Sequence, residues 1–93
     1  MKRAFIWETP EEINKEIAGR VKNIRKRRKI SQEELSKLSG VSFGSVKRFE
    51  TSGNISLISL TKIAIALNIV DDLKNIFSNI EYTSLQEVIN ENR

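Results

Sequence analysis

Apolar residues recur at steps of three and four along most of the chain, and short polar clusters cut the pattern into segments. Such spacing predicts amphipathic helices rather than strands. Thr9-Pro10-Glu11-Glu12 opens the first. Thr9 suits the cap, Pro10 the first helical position, and Glu12 completes a capping box. This helix is expected to run to about Lys29, with Ile13, Ile17, Val21 and Ile24 as its buried stripe. Ser31-Gln32-Glu33-Glu34 repeats the capping grammar and opens a short second helix, with Leu35 and Leu38 expected inward. Gly40 then supplies the left-handed residue that a sharp stop needs. Ser42 caps a third helix, about Phe43 to Thr51, that turns Val46 and Phe49 inward, and Ser52-Gly53-Asn54 forms a turn.

A fourth helix is expected from Ser56 or Leu57, with Leu60, Ile63, Ala64 and Leu67 on its core side. Asp71 and Asp72 favour one more helix start, with Leu73, Ile76, Phe77 and Ile80 as its apolar side. Phe5-Ile6-Trp7 either packs on the bundle or forms a short strand, and Ser84 to Ile89 forms a further helical turn or a tail. The chain thus divides into an N-terminal arm (1–8), a helical domain (9–80) and a C-terminal tail (81–93).

Composition narrows the chemistry. The 93 residues suit one domain and hold no cysteine and no histidine. No disulfide framework or thiolate metal site is possible, and the commonest general base and metal ligand is absent. There is no phosphate loop and no compelling carboxylate pair, so no enzyme, cofactor or metal is expected. No apolar run is long enough to span a membrane, and the apolar part of the N-terminus is too short for a secretory signal. A cytoplasmic protein is the expectation.

Charge is unevenly spread. Residues 1–30 carry ten Lys/Arg against four Glu, including the run Arg25-Lys26-Arg27-Arg28-Lys29, whereas residues 61–93 carry three against five Asp/Glu. A basic block suits a polyanion, although a basic run is also the ordinary solvated face of a helix. A basic amphipathic helix could also lie on a membrane, but the first helix needs its apolar face for the core.

The informative stretch is Ser31 to Gly53, two short helices around a Gly-containing turn. That arrangement lets the second helix enter a major groove while the first crosses the backbone. Ser31-Gln32-Glu33-Glu34-Leu35-Ser36-Lys37-Leu38-Ser39-Gly40-Val41-Ser42 resembles the signature of the phage-repressor (Cro/CI, or XRE) family of helix-turn-helix proteins. Leu35, Leu38, Val46 and Phe49 match its core positions, and Leu57 to Leu67 resembles its fourth helix. The resemblance spans roughly Ala18 to Leu67. It implies an all-α, five-helix, lambda-repressor-like DNA-binding domain that binds double-stranded DNA and regulates transcription.

The resemblance also implies roles. Gln32 would donate to a backbone phosphate and brace the recognition helix. Arg25 and Glu50 would bridge the first helix to the end of the third. Lys29 stands where the family often has glycine, so an irregular exit from the first helix is expected. Ser42, Phe43, Gly44, Ser45, Lys47 and Arg48 would form the reading surface. Phe43 could meet thymine methyl groups, Gly44 permits close approach, and Arg48 can bind guanine or phosphate bidentately. Phe43 and Gly44 depart from the family habit of polar side chains there. Thr51, Ser52 and Asn54 would follow the phosphates, and Arg28, with Arg27 and Lys29, would add contacts independent of sequence.

One such motif reads few base pairs, so a homodimer on a palindromic operator is expected, with half-sites about 34 Å apart. Ile58 and Ile65 lie off the core stripe of helix four and, with Phe77 and Ile80, favour association through helices four and five; the same residues could instead cover Phe5-Ile6-Trp7. Phe49 to Leu57, Leu67 to Phe77 and the tail around Ser84-Leu85 are similar to a subset that includes HipB-type antitoxins, which repress their own operon and bind a kinase-like toxin. The competing reading is a protein-interaction adaptor on the same fold that does not bind DNA.

Overall fold

The computed structural model describes residues 8–79, which form five helices: α1 (Pro10–Arg27), α2 (Gln32–Ser39), α3 (Phe43–Ser52), α4 (Leu57–Ala66) and α5 (Val70–Lys74). The expectations for Phe5-Ile6-Trp7, Ile80 and Ser84 to Ile89 lie outside the described residues. Each of the first four helices begins on a hydroxyl cap. Thr9 accepts from the Glu12 N–H at 3.1 Å while its own N–H donates to the Glu12 carboxylate at 3.0 Å. Ser31 and Glu34 repeat this exchange at 3.0 and 2.7 Å. Ser42 and Ser56 accept from Ser45 and Ser59. Each cap satisfies a donor that the first turn would otherwise orphan.

The core gathers Ala18 and Val21 from α1, Leu35 from α2, Val41 from the turn, Val46 and Phe49 from α3, and Ile63 and Leu67 from the fourth helical segment. Ala18, Leu35, Val46, Ile63 and Leu67 are fully buried. Helix α3 packs on both α1 and α2, and α4 packs on α2 and α5. Full burial of a side chain such as Phe49 contributes about 1.5–3 kcal/mol, so this small cluster carries much of the stability.

Three expectations need correction. Ile13 and Ile17 are each 40% exposed rather than buried. The inward line of α1 is instead Ala18, Val21 and Arg25, with Glu50 holding Arg25 in place; Asn14 is exposed, although the Gly53 backbone passes close to it. Leu38 is 62% exposed. The face of α2 turned inward runs through Gln32, Leu35, Ser36 and Ser39, and the two serines are held there by the turn that follows. Finally, α5 stops at Lys74, and Phe77 sits beyond it at φ 59° and 95% exposed. Asn75, Ile76, Ser78 and Asn79 are weak helix formers and have little core to pack on.

Two smaller differences concern ends. Helix α1 stops at Arg27, and Lys29 takes φ 58°, a left-handed conformation that costs a side-chain-bearing residue about 1 kcal/mol. The irregular exit read from Lys29 is therefore present. Helix α3 runs one residue further than expected, to Ser52, and ends on Gly53 at φ 83°.

The two left-handed glycines differ in their surroundings. A Cβ at Gly40 would meet nothing within 4 Å, whereas one at Gly53 would fall 2.7 Å from the Asn14 backbone carbon. Gly40→Ala is expected to cost about 1–2 kcal/mol, the conformational term alone. Gly53→Ala should cost clearly more, since α3 must also part from α1. Chemical denaturation of both variants checks this; equal losses would contradict the close approach.

Candidate nucleic-acid interface

The site is built on a three-residue turn. Gly40 ends α2 with its N–H donating to the Ser36 carbonyl, and Val41 drops into the core. Ser36 Oγ donates to the Val41 carbonyl at 2.6 Å, and the Val41 N–H donates to Ser39 Oγ at 3.1 Å. Both polar groups of the buried valine are thereby satisfied from α2, which fixes the angle at which α3 leaves.

A second lock lies at the far end of α3. Arg25 donates to both Glu50 carboxylate oxygens, Nε to Oε2 at 2.7 Å and Nη2 to Oε1 at 2.9 Å, and its Nη1 donates to the Ile30 carbonyl at 2.7 Å. Gln32 Nε2 also donates to Glu50 Oε1, at 2.8 Å. The Arg25 and Glu50 side chains are only 8% and 2% exposed. Burial disfavours the charge on Glu50, but the hydrogen bonds from Arg25 and Gln32 and the charge of Arg25 outweigh it and hold its pKa below the ordinary value. One carboxylate thus ties α1, the start of α2 and the end of α3 together.

This geometry leaves one side of α3 free. Phe43, Gly44, Lys47, Arg48 and Thr51 are exposed at spacings that put them on a common face. Glu50, the helix's one acidic side chain, points away into the ion pair, so the outer face holds two cations and no carboxylate. The Lys47 ammonium lies over the Phe43 ring, 5.3 Å from its centroid. Glu33, Ser36, Lys37 and Phe43 line a shallow cleft between α2 and α3.

The other candidates fall around this face. Ser42 is the α3 cap, and its hydroxyl also meets that of the half-buried Ser45 at 2.8 Å. Ser52 Oγ donates to the Arg48 carbonyl at 2.7 Å and accepts from the Asn54 N–H at 3.2 Å, so Ser52 shapes the turn that exposes Asn54. Arg28 is exposed just past α1, three residues ahead of the α2 cap. Gln32 holds the bracing position read for it.

Sequence reasoning missed the two serines that lock the turn, the Ile30 carbonyl as a partner of Arg25, and Lys37 beside Phe43. None carries a periodic signal; only the placement of α2 against α3 reveals them. Among the described residues, no group of acidic side chains is arranged to hold a metal, and no helix is long and apolar enough to cross a membrane.

Two short helices set by a tight turn, the second braced at its end and bare of acid on its outer face, define a helix-turn-helix module. A family model described as helix-turn-helix matches residues 21–71, more than half of the 93-residue chain. The chain belongs to this helix-turn-helix family of the phage-repressor (XRE) type, a family of DNA-binding transcription regulators that are normally not enzymes. No curated protein and no solved structure matches the chain.

The Glu50 ion pair gives two expected outcomes. Arg25→Met leaves a buried carboxylate without its cation and should cost about 3–5 kcal/mol. Adding Glu50→Leu should recover part of that loss, read by denaturation of the single and double variants. The pH dependence follows from the lowered pKa. A carboxyl whose pKa is lower when folded stabilises the fold above the unfolded-state value, and loses that contribution as pH falls through the folded one. The stability difference between parent and Glu50→Gln should therefore shrink across that acid range; a difference independent of pH would contradict it.

Proposed function

We propose that this chain binds a palindromic DNA operator as a homodimer and represses transcription, with α3 in the major groove. The observation that carries the reading is the outer face of α3, which presents Lys47, Arg48, Thr51, Phe43 and Gly44 with no carboxylate among them. Recognition helices of this motif contact base edges mainly through their N-terminal residues. Lys47 and Arg48 suit guanine or phosphate, and Ser42, Ser45 and Gln32 act chiefly by holding the helix. Gln32 adds a phosphate contact at the start of α2, Thr51, Ser52 and Asn54 follow the backbone beyond α3, and Arg28 adds a contact without sequence preference.

The dimer is supported by apolar side chains that the described residues leave uncovered. Leu57, Ile58 and Ile65 on α4 are 70%, 67% and 61% exposed, and Phe77 after α5 is 95% exposed. Clusters of this kind mark association surfaces. Association through α4 and α5 would carry two α3 helices on one particle, as a palindrome requires. Within this reading, the narrower resemblance supports an autoregulating antitoxin with a kinase-like toxin as its second partner. A gene for such a toxin beside this one would support that step.

Binding to the DNA upstream of the chain's own gene, measured at two salt concentrations, tests the proposal. Saturable binding that weakens steeply with salt is expected, with a logarithmic slope of about 0.9 per phosphate neutralised. Lys47→Ala/Arg48→Ala should weaken binding by at least about fivefold, the lower end for loss of a base contact. An intact fold that shows no preference for any duplex would favour an interaction adaptor instead. Sedimentation gives the second readout: Ile58→Glu/Ile65→Glu should convert a dimer to a monomer.

A further inference from the structure

We propose that Phe43 selects a 5-methylpyrimidine, thymine in unmodified DNA, through apolar contact in the major groove. This rests on the placement of α3 proposed above. The reason is how little polar chemistry the first turn of α3 has left. The Ser42 hydroxyl donates to Ser45 Oγ at 2.8 Å and accepts from the Ser45 N–H as the helix cap, so the half-buried Ser45 hydroxyl keeps one proton to give. The Gln32 amide donates to Glu50 and its side chain is held at the far end of α3. Gly44 offers no side chain, and the space where a Cβ would stand is open, with nothing within 4 Å.

What the turn does offer is a ring. Phe43 is 41% exposed at the first helical position, where recognition helices meet base edges. The Lys47 ammonium sits 5.3 Å from the ring centroid, within the range of a cation–π contact, and the ring borders the cleft formed with Glu33, Ser36 and Lys37. A ring beside a cation, next to a glycine that lets DNA approach, is a preformed apolar contact, with Lys37 and Lys47 set against the single Glu33 carboxylate. Among the four base pairs, only the thymine methyl offers apolar surface in the major groove. Ring and methyl are therefore the matching pair.

The experiment begins with target duplexes selected from a random library by the full chain. Thymines in the selected duplex are then replaced one at a time by deoxyuridine, which removes the methyl and keeps the pairing. One thymine per half-site is expected to lose about fourfold in affinity on replacement, the value of one methyl withdrawn from contact. Phe43→Ala should bind the thymine and uracil duplexes alike, while circular dichroism shows its helices intact. If a duplex is selected but no thymine replacement weakens binding, Phe43 does not read a methyl, and the DNA-binding reading still stands. Discrimination that survives Phe43→Ala assigns the methyl to another residue and overturns the proposal in the same way. If no duplex is selected at all, the DNA-binding reading fails and this one with it.

Discussion

The arrangement of this domain depends on the ion pair between Arg25 and Glu50. Both side chains are almost fully buried, and a buried charge is tolerated only when it is paired and its remaining hydrogen-bond positions are filled. Here they are filled from three places. Arg25 meets two carboxylate oxygens and the Ile30 carbonyl, and Gln32 adds a further donor to Glu50. The pair therefore works as a geometric constraint more than as a source of stability. An apolar pair of similar volume could hold the helices together, but it would not fix the roll of α3 about its axis. Bidentate bonding does, and the roll of α3 decides which residues face outward.

That consequence links the core to the surface. With Glu50 drawn inward, α3 shows solvent a face of cations, a ring and a glycine, with no carboxylate of its own. At the other end, the turn holds Val41 by both its polar groups, so the helix is pinned at entry and at exit. Pinning matters because an interface that must order itself on binding loses affinity to that ordering. Several polar residues that would be taken for base readers belong to this scaffold: Ser42 caps, Ser45 meets Ser42, Ser52 ties back to Arg48, and Gln32 braces. On the proposed reading, direct contact with bases is left to Phe43, Lys47 and Arg48.

How much of this could be read from the chain alone follows from the range of each interaction. Caps and stops were legible because they are decided within four residues: Thr9 with Glu12, Ser31 with Glu34, and the glycines at 40 and 53. The Arg25–Glu50 bridge was legible only through family resemblance, since twenty-five residues separate its partners. Inward faces were misread where a polar residue takes a core position. Arg25 lies on the buried line of α1 with Ala18 and Val21, in place of Ile13 and Ile17, and Ser36 and Ser39 displace Leu38 in α2. Helix α5 was overextended because its apolar spacing continues past Lys74 while the core does not. The occupation of Ser42, Ser45 and Gln32 could not be seen in advance, because a hydroxyl or amide looks the same whether or not it is already bonded.

The most direct test of the account is a titration of the isotope-labelled chain with a short operator duplex, following backbone amide resonances by NMR at low and moderate salt. Changes should concentrate on residues 42–54, with smaller ones at Gln32 and Arg28, and persist at moderate salt for the residues that touch bases. Changes confined to α4 and α5, or spread evenly over every exposed basic residue and vanishing with salt, would contradict α3 as the element that reads DNA.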